Sequence, residues 1–197
     1  RSIMVNVMGE VEVPGTYRLS AFASVFHALY RAGGVNRIGS LRTIQVVRNG
    51  EKVADVDVYK YIMEGKLADD IHLSEGDVIL VSPYENLVGI SGKVKRPMIY
   101  EMKQGESLAT LINYAGGFTG DAYRNTVRLL RRSGREKQIY NVDKVDYENF
   151  ILTDDDEVSV EAVLDRFSNK VEVRGAVYRA GMYQLDSLTG TIKQLIC

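Results

Sequence analysis

Tryptophan is absent from this 197-residue chain, cysteine occurs once, at Cys197, and there are only two histidines and three prolines. A lone cysteine excludes an intrachain disulfide and any metal site built from several thiolates, iron–sulfur clusters included. The two histidines, His27 and His72, have no second ligand at metal spacing, so both are expected to be structural or surface residues and no cofactor is expected. Neither sign of charge is in excess: 25 Lys and Arg against 26 Asp and Glu leave a formal charge of -1. Without a basic stripe, neither nucleic acid nor an anionic membrane is an expected partner. No apolar run approaches the roughly 18 residues of a transmembrane helix. The chain opens with Arg1-Ser2 directly into a strand pattern, not with the charged start and long apolar stretch of a signal peptide. Two readings follow, a cytosolic protein or a piece cut from a longer precursor. What the chain has is ordinary globular composition, 45% hydrophobic and 26% charged, at a length that fits one or two domains.

It also has a repeat. Val5-Asn6-Val7-Met8-Gly9-Glu10-Val11 recurs as Val88-Gly89-Ile90-Ser91-Gly92-Lys93-Val94 and again as Val171-Glu172-Val173-Arg174-Gly175-Ala176-Val177. Gly9 to Gly92 and Gly92 to Gly175 are both steps of 83 residues. At that interval Pro14 meets Pro97, Tyr17 meets Tyr100 and Tyr183, and Gly33-Gly34 meets Gly116-Gly117. Later the interval falls to 79, where Asp77 to Val81 meets Asp156 to Val160, so the second copy is about four residues shorter in its middle, as surface loops allow.

Each copy reads as a small α+β unit. Val5, Val7 and Val11 alternate on a strand's core face, with Gly9 in phase where a bulge or close backbone approach is expected. Val13-Pro14-Gly15 supplies a turn, with Pro14 at its second position and Gly15 supplying a positive φ at its third, and Tyr17 begins a return strand. Phe22, Val25, Phe26, Leu29 and Tyr30 then form the apolar stripe of a helix, with Ser20 as its N-cap and Gly33-Gly34 as its end. Ser107, Leu108, Leu111, Ile112 and Tyr114 repeat it. Thr43 to Val47 is a third strand, Asn49-Gly50 a hairpin dipeptide, and Lys52 to Val58 the return. A short helix over Lys60 to Gly65, a turn at Ser74 to Asp77 and a strand at Val78 to Val81 complete the copy. The order is ββ-α-ββ-(short α)-β, a mixed sheet around one main helix, which is a β-grasp arrangement. About 80 residues is enough for one core. The modules expected are 1–82 and 87–162, with the opening part of a third at 169–197. Short connections without Gly/Ser-rich or Pro-rich composition predict restricted orientation between copies. The third copy ends at Gln194 to Cys197, before its Gly pair, so the chain is expected to be a fragment of a longer repeat protein.

These residues resemble the SLBB module, a soluble-ligand-binding β-grasp fold. The resemblance rests on V-x-G-x-V-x-x-P-G-x-Y (Val7, Gly9, Val11, Pro14, Gly15, Tyr17), on Ala32-Gly33-Gly34 and on Gly76-Asp77-Val78-Ile79-Leu80-Val81. The second copy departs from it at Met98 and at Asp155-Asp156, and the third at Ala180-Gly181. Tandem SLBB copies are similar to the periplasmic part of Wza-like outer-membrane polysaccharide export proteins. That resemblance implies a non-catalytic module in the periplasm of a Gram-negative cell, within a ring of identical subunits. The implied partners are other copies of the chain and inner-membrane polysaccharide export machinery, with polysaccharide contact as a further expectation.

Candidate binding residues are few. Arg124, Arg128, Arg131 and Arg132, with Arg135, form a basic stretch that suits an anionic glycan or a neighbouring subunit; the alternative is plain strand surface. Asp154-Asp155-Asp156-Glu157 lacks the spacing and glycine of an EF-hand loop and reads as a solvated turn, as does Asp69-Asp70. Twelve tyrosines suit sugar contact, yet Tyr17, Tyr100 and Tyr183 share one repeat slot, which implies packing. Gly33-Gly34 lacks the G-K-[ST] of a phosphate loop, and nothing places a catalytic set together. A stand-alone carbohydrate- or ligand-binding module is the alternative to an export scaffold, and an enzyme is a third reading.

Overall fold

The structure is a computed structural model, and it describes residues 1–65, 72–177 and 179–184. Asp69-Asp70 and the end of the third copy, Gln194 to Cys197, lie outside the described residues. Residues 1–162 form one compact unit and 163–197 another.

The first unit holds two modules built alike. In the first, β1 (Ser2–Gly9) and β2 (Gly15–Ser20) lead to α1 (Val25–Arg31), then β3 (Gly39–Arg48), β4 (Glu51–Val56), α2 (Val58–Glu64) and β5 (Val78–Pro83). The sheet order is β2-β1-β5-β3-β4. β1 and β5 run parallel and every other pairing is antiparallel. The second module repeats the pattern with β6 (Asn86–Gly92), β7 (Met98–Met102), α3 (Leu108–Tyr114), β8 (Thr126–Ser133), β9 (Glu136–Asp143), a 3-10 turn η1 (Lys144–Asp146) and β10 (Glu157–Val160), in the order β7-β6-β10-β8-β9. These are the two α+β sheet-and-helix modules that the repeat predicts. Among the described residues no helix is long and apolar enough to cross a membrane.

Strand alternation sets each core. Val5, Val7, Ile44, Val46, Ile79 and Val81 of the first sheet are buried under Val25, Ala28 and Leu29 of α1. Val88, Ile90, Val127, Leu129 and Val158 of the second are buried under Leu108, Leu111 and Ile112. Gly9 has φ +85 and a Cβ there would lie 2.2 Å from the Val81 carbonyl oxygen; at Gly92 the φ is +87 and the distance to the Val160 oxygen 2.1 Å. The close approach expected at this glycine occurs in both modules. Asn49 and Gly50, at φ 53 and 83, form the primed turn that suits a twisted hairpin.

Three expectations need correction. Gly15 has no positive φ: it is the first residue of β2, as Met98 is of β7 and Gly181 of β12, which is why methionine serves there. Ser20 ends β2; the N-cap of α1 is Ser24, whose N–H donates to His27 Nδ1 at 3.2 Å. Phe22 and Tyr30 do not face the core but are 84% and 85% exposed.

Where the first module has α2, capped by Asp57 and closed by Gly65 at φ 64, the second has only η1. Its β8–β9 hairpin is instead longer: Val127 pairs with Val142, whereas Ile44 pairs with Val56. The net shortening read from the sequence is therefore an insertion and a larger deletion together.

In the second unit, β11 (Lys170–Val173) pairs antiparallel with β12 (Gly181–Gln184), Val171 opposite Tyr183. Val5 opposite Tyr17 and Val88 opposite Tyr100 show the same register. In all three copies the tyrosine hydroxyl donates to the carbonyl four residues earlier: Val13 at 2.5 Å, Arg96 at 2.8 Å and Arg179 at 2.9 Å. The shared tyrosine slot is thus a packing position.

Candidate functional site

The chemistry of the first unit concentrates where its two modules meet. Arg42 lies on β3 in phase with Ile44 and Val46, which puts its side chain inward, where it is 5% exposed. Its Nε donates to both carboxylate oxygens of Asp57 at 3.3 Å, and its Nη2 reaches Asp57 Oδ2 at 3.2 Å. Its Nη1 crosses to the second module, donating to the Glu101 carbonyl at 3.2 Å and to the Glu106 carboxylate. The guanidinium sits between two aromatic faces, 4.8 Å from the Tyr59 ring and 5.2 Å from the Tyr114 ring; such cation–π contact gains when desolvated.

Around this arginine every charge is answered. The second module's Lys103 Nζ lies 3.0 Å from Asp57 Oδ2. The Glu101 carboxylate accepts from Ser40 Oγ and, at 2.8 Å, from the Leu41 N–H. The Glu101 N–H donates to Tyr59 Oη at 2.8 Å, and Tyr114 Oη donates to Glu106 Oε2 at 2.7 Å. Tyr59 also meets Tyr114 edge-on at 5.3 Å and packs on the second module's core. Burial alone would push the Asp57 carboxyl up, but Arg42 and Lys103 outweigh it and hold it below the usual carboxylate range. Burial pushes the Tyr59 and Tyr114 phenols up, Tyr114 further through its bond to Glu106. All this gathers three carboxylates, two cations and two phenols at the junction. A 270 Å³ cleft beside it is lined by Thr43, Glu85, Glu101 and Lys103. What the arrangement does is fix one module against the next.

Within each module a second arginine does related work. Arg48 makes a two-pronged contact with Asp77, 2.8 Å on each prong, and donates to the His72 carbonyl at 3.1 Å. Arg131 does the same with Asp156, at 3.0 and 2.8 Å, and with the Ile151 carbonyl at 3.0 Å. Asp77 and Asp156 are 0% and 1% exposed. Burial raises the Asp77 carboxyl, but Arg48 and the Ser74 N–H prevail and hold it low. The acidic run is therefore not wholly a solvated turn. Asp156 is buried and Asp154 accepts from the Leu87 N–H at 2.8 Å. Asp155, at φ 64, takes the left-handed conformation that Gly76 has in the first module.

The arginines of the basic stretch meet different partners. Arg131 is held between the Tyr140 and Phe150 rings, 5.5 and 5.1 Å from their centroids. Arg128 pairs with Glu161 at 2.8 Å and Arg132 with Asp155 at 2.6 Å. Arg124 donates to the Thr119 carbonyl at 3.3 Å. Arg42 was not singled out in the sequence, although its phase was legible there: Ser40, Arg42, Ile44 and Val46 share one strand face, and a charge on a core face calls for a partner.

An apolar cleft of 580 Å³ lies elsewhere, along α1, lined by Leu19, Phe22, Phe26, Tyr30 and Arg31.

Comparison with known proteins finds one match in each module, the second ending inside β9. Two family models, each described as an SLBB domain, match residues 4–81 and 87–141. Two curated relatives, both the polysialic acid transport protein KpsD of Escherichia coli, are 25% identical over 174 residues. The match takes in 87% of this chain and 30% of theirs, so the chain spans under a third of those relatives' length.

Proposed function

Since the chain belongs to the SLBB-domain family and carries two of these domains in tandem, we propose that it is a non-catalytic scaffold module of a polysaccharide export protein in a Gram-negative cell envelope. The observation that carries this reading is the similarity to polysialic acid transport proteins across 87% of the chain. The junction supports it, because Arg42 and its partners are spent on one another and hold two modules in a fixed relation. In this reading the module stands on the periplasmic side of the outer membrane. It assembles with other copies into a closed ring and works with inner-membrane export machinery, with the glycan passing nearby.

The test is genetic. Deleting the parent gene in its host is expected to abolish surface polysaccharide while the polymer collects inside the cell, with recovery on complementation. Undiminished surface polysaccharide in the deletion strain would overturn the proposal.

A further inference from the structure

The contact between the two modules is a template for a second contact. The second module presents Glu101, Lys103, Glu106 and Tyr114 to the first. One repeat step of 83 earlier, the same positions in the first module are Arg18, Ser20, Ala23 and Arg31. Ser20, Ala23 and Arg31 line the cleft along α1, beside the exposed rings of Phe22 and Tyr30. The face by which the second module receives its neighbour is thus, in the first module, an open cleft among the described residues.

Its charge has changed sign. Glu101 has become Arg18, Glu106 has become Ala23, and Tyr114 has become Arg31. An incoming module with a guanidinium in the Arg42 position would be repelled, and one with carboxylates would be drawn in. The second module has such a face. Asn125 stands one repeat step after Arg42. The pairing of Ile44 with Val56 and of Val127 with Val142 puts Asp143 and Val145 in the slots of Asp57 and Tyr59. Val145 is 83% exposed, and Asp146 beside it is exposed as well.

We infer that the α1 face of one copy receives the β9–η1 face of a second copy, with Val145 in the aromatic cleft and Asp143 and Asp146 toward Arg18 and Arg31. The contact joins two different surfaces of the same chain, so it is head-to-tail and either closes into a ring or propagates. It rests on the proposed scaffold reading for the identity of the occupant; the surfaces come from the repeat.

The experiment places photoreactive benzoylphenylalanine at Tyr30 of the whole chain, mixes isotope-labelled with unlabelled copies, and maps adducts by mass spectrometry over a concentration series. Interchain adducts within residues 123–146 are expected. They should be lost in Arg31→Glu and recovered when that chain is mixed with Asp146→Arg. Adducts to another segment, 163–197 included, would overturn this pair of surfaces while leaving self-association standing. A monomer without interchain adducts at every concentration would overturn self-association as well. Oligosaccharide that shields Tyr30 in such a monomer would assign the cleft to glycan instead, also against the inference.

Discussion

At Gly9 two independent constraints meet, a φ of +85 and a carbonyl oxygen 2.2 Å from where a Cβ would stand. That oxygen belongs to Val81 on the parallel partner strand, so it is backbone and cannot swing aside. Gly15 lacks both constraints: it has no positive φ, and its nearest neighbour is a tyrosine ring edge at 3.9 Å. Gly9→Ala is therefore expected to destabilise the chain by about 3 kcal/mol or more, from left-handed strain and overpacking together. Gly15→Ala should stay within about 0.5 kcal/mol. Urea unfolding followed by circular dichroism checks the pair, and similar midpoints would refute the account. The recurrence of this glycine every 83 residues made it legible in the sequence. Its reason is visible only once β5 is seen to run parallel beside it. Gly175 shares the conformation at φ +105 with no atom within 4 Å of a Cβ, because no third strand pairs there among the described residues.

Helix starts depend on a hydrogen bond that only one serine in each repeat is placed to make. Ser107 Oγ accepts from the Thr110 N–H and caps α3. Ser20, four residues before the cap position of α1, instead ends β2 and accepts from the Phe22 N–H at 3.3 Å. Ser107→Ala should cost about 1 kcal/mol and Ser20→Ala distinctly less, read as shifts in denaturation midpoint. An equal or larger cost at Ser20 would mean that the helix begins where its apolar spacing first appears. That spacing misled because Phe22 and Tyr30 fit a helical stripe yet face outward. Stepping back 83 residues from Ser107 lands on Ser24, so the repeat held the correct cap while local periodicity pointed elsewhere. The strands were more readable, since Val5, Val7, Ile44, Val46 and their counterparts alternate strictly and one face of each sheet is buried.

Arg42 belongs to the scale of the whole unit, because its partners lie on both modules. It escaped the sequence reading for that reason: the repeat has Asn125 in its place, and a contact unique to one junction leaves no periodic trace. Removing the guanidinium would leave Asp57, at 5% side-chain exposure, with only Lys103 and the Tyr59 N–H among the partners described for it. Breaking a buried pair from one side costs about 3–5 kcal/mol. That cost should fall on both modules, since Tyr59 and Glu101 lose their fixed positions together. Arg42→Met is thus expected to lower native-state hydrogen-exchange protection by about a hundredfold to a few thousandfold in both β3 and β8, at tenfold per 1.4 kcal/mol. Acid should act through the same group. The Asp57 carboxyl is held below its ordinary value, so its stabilising contribution is fully present above about pH 4 and drains away as pH falls through the folded value. The wild-type chain should therefore lose protection faster than Arg42→Met below about pH 4, and the two should converge. Protection confined to one module's loss, or a gap that persists unchanged in acid, would show that the arginine stabilises β3 locally and does not lock the modules together.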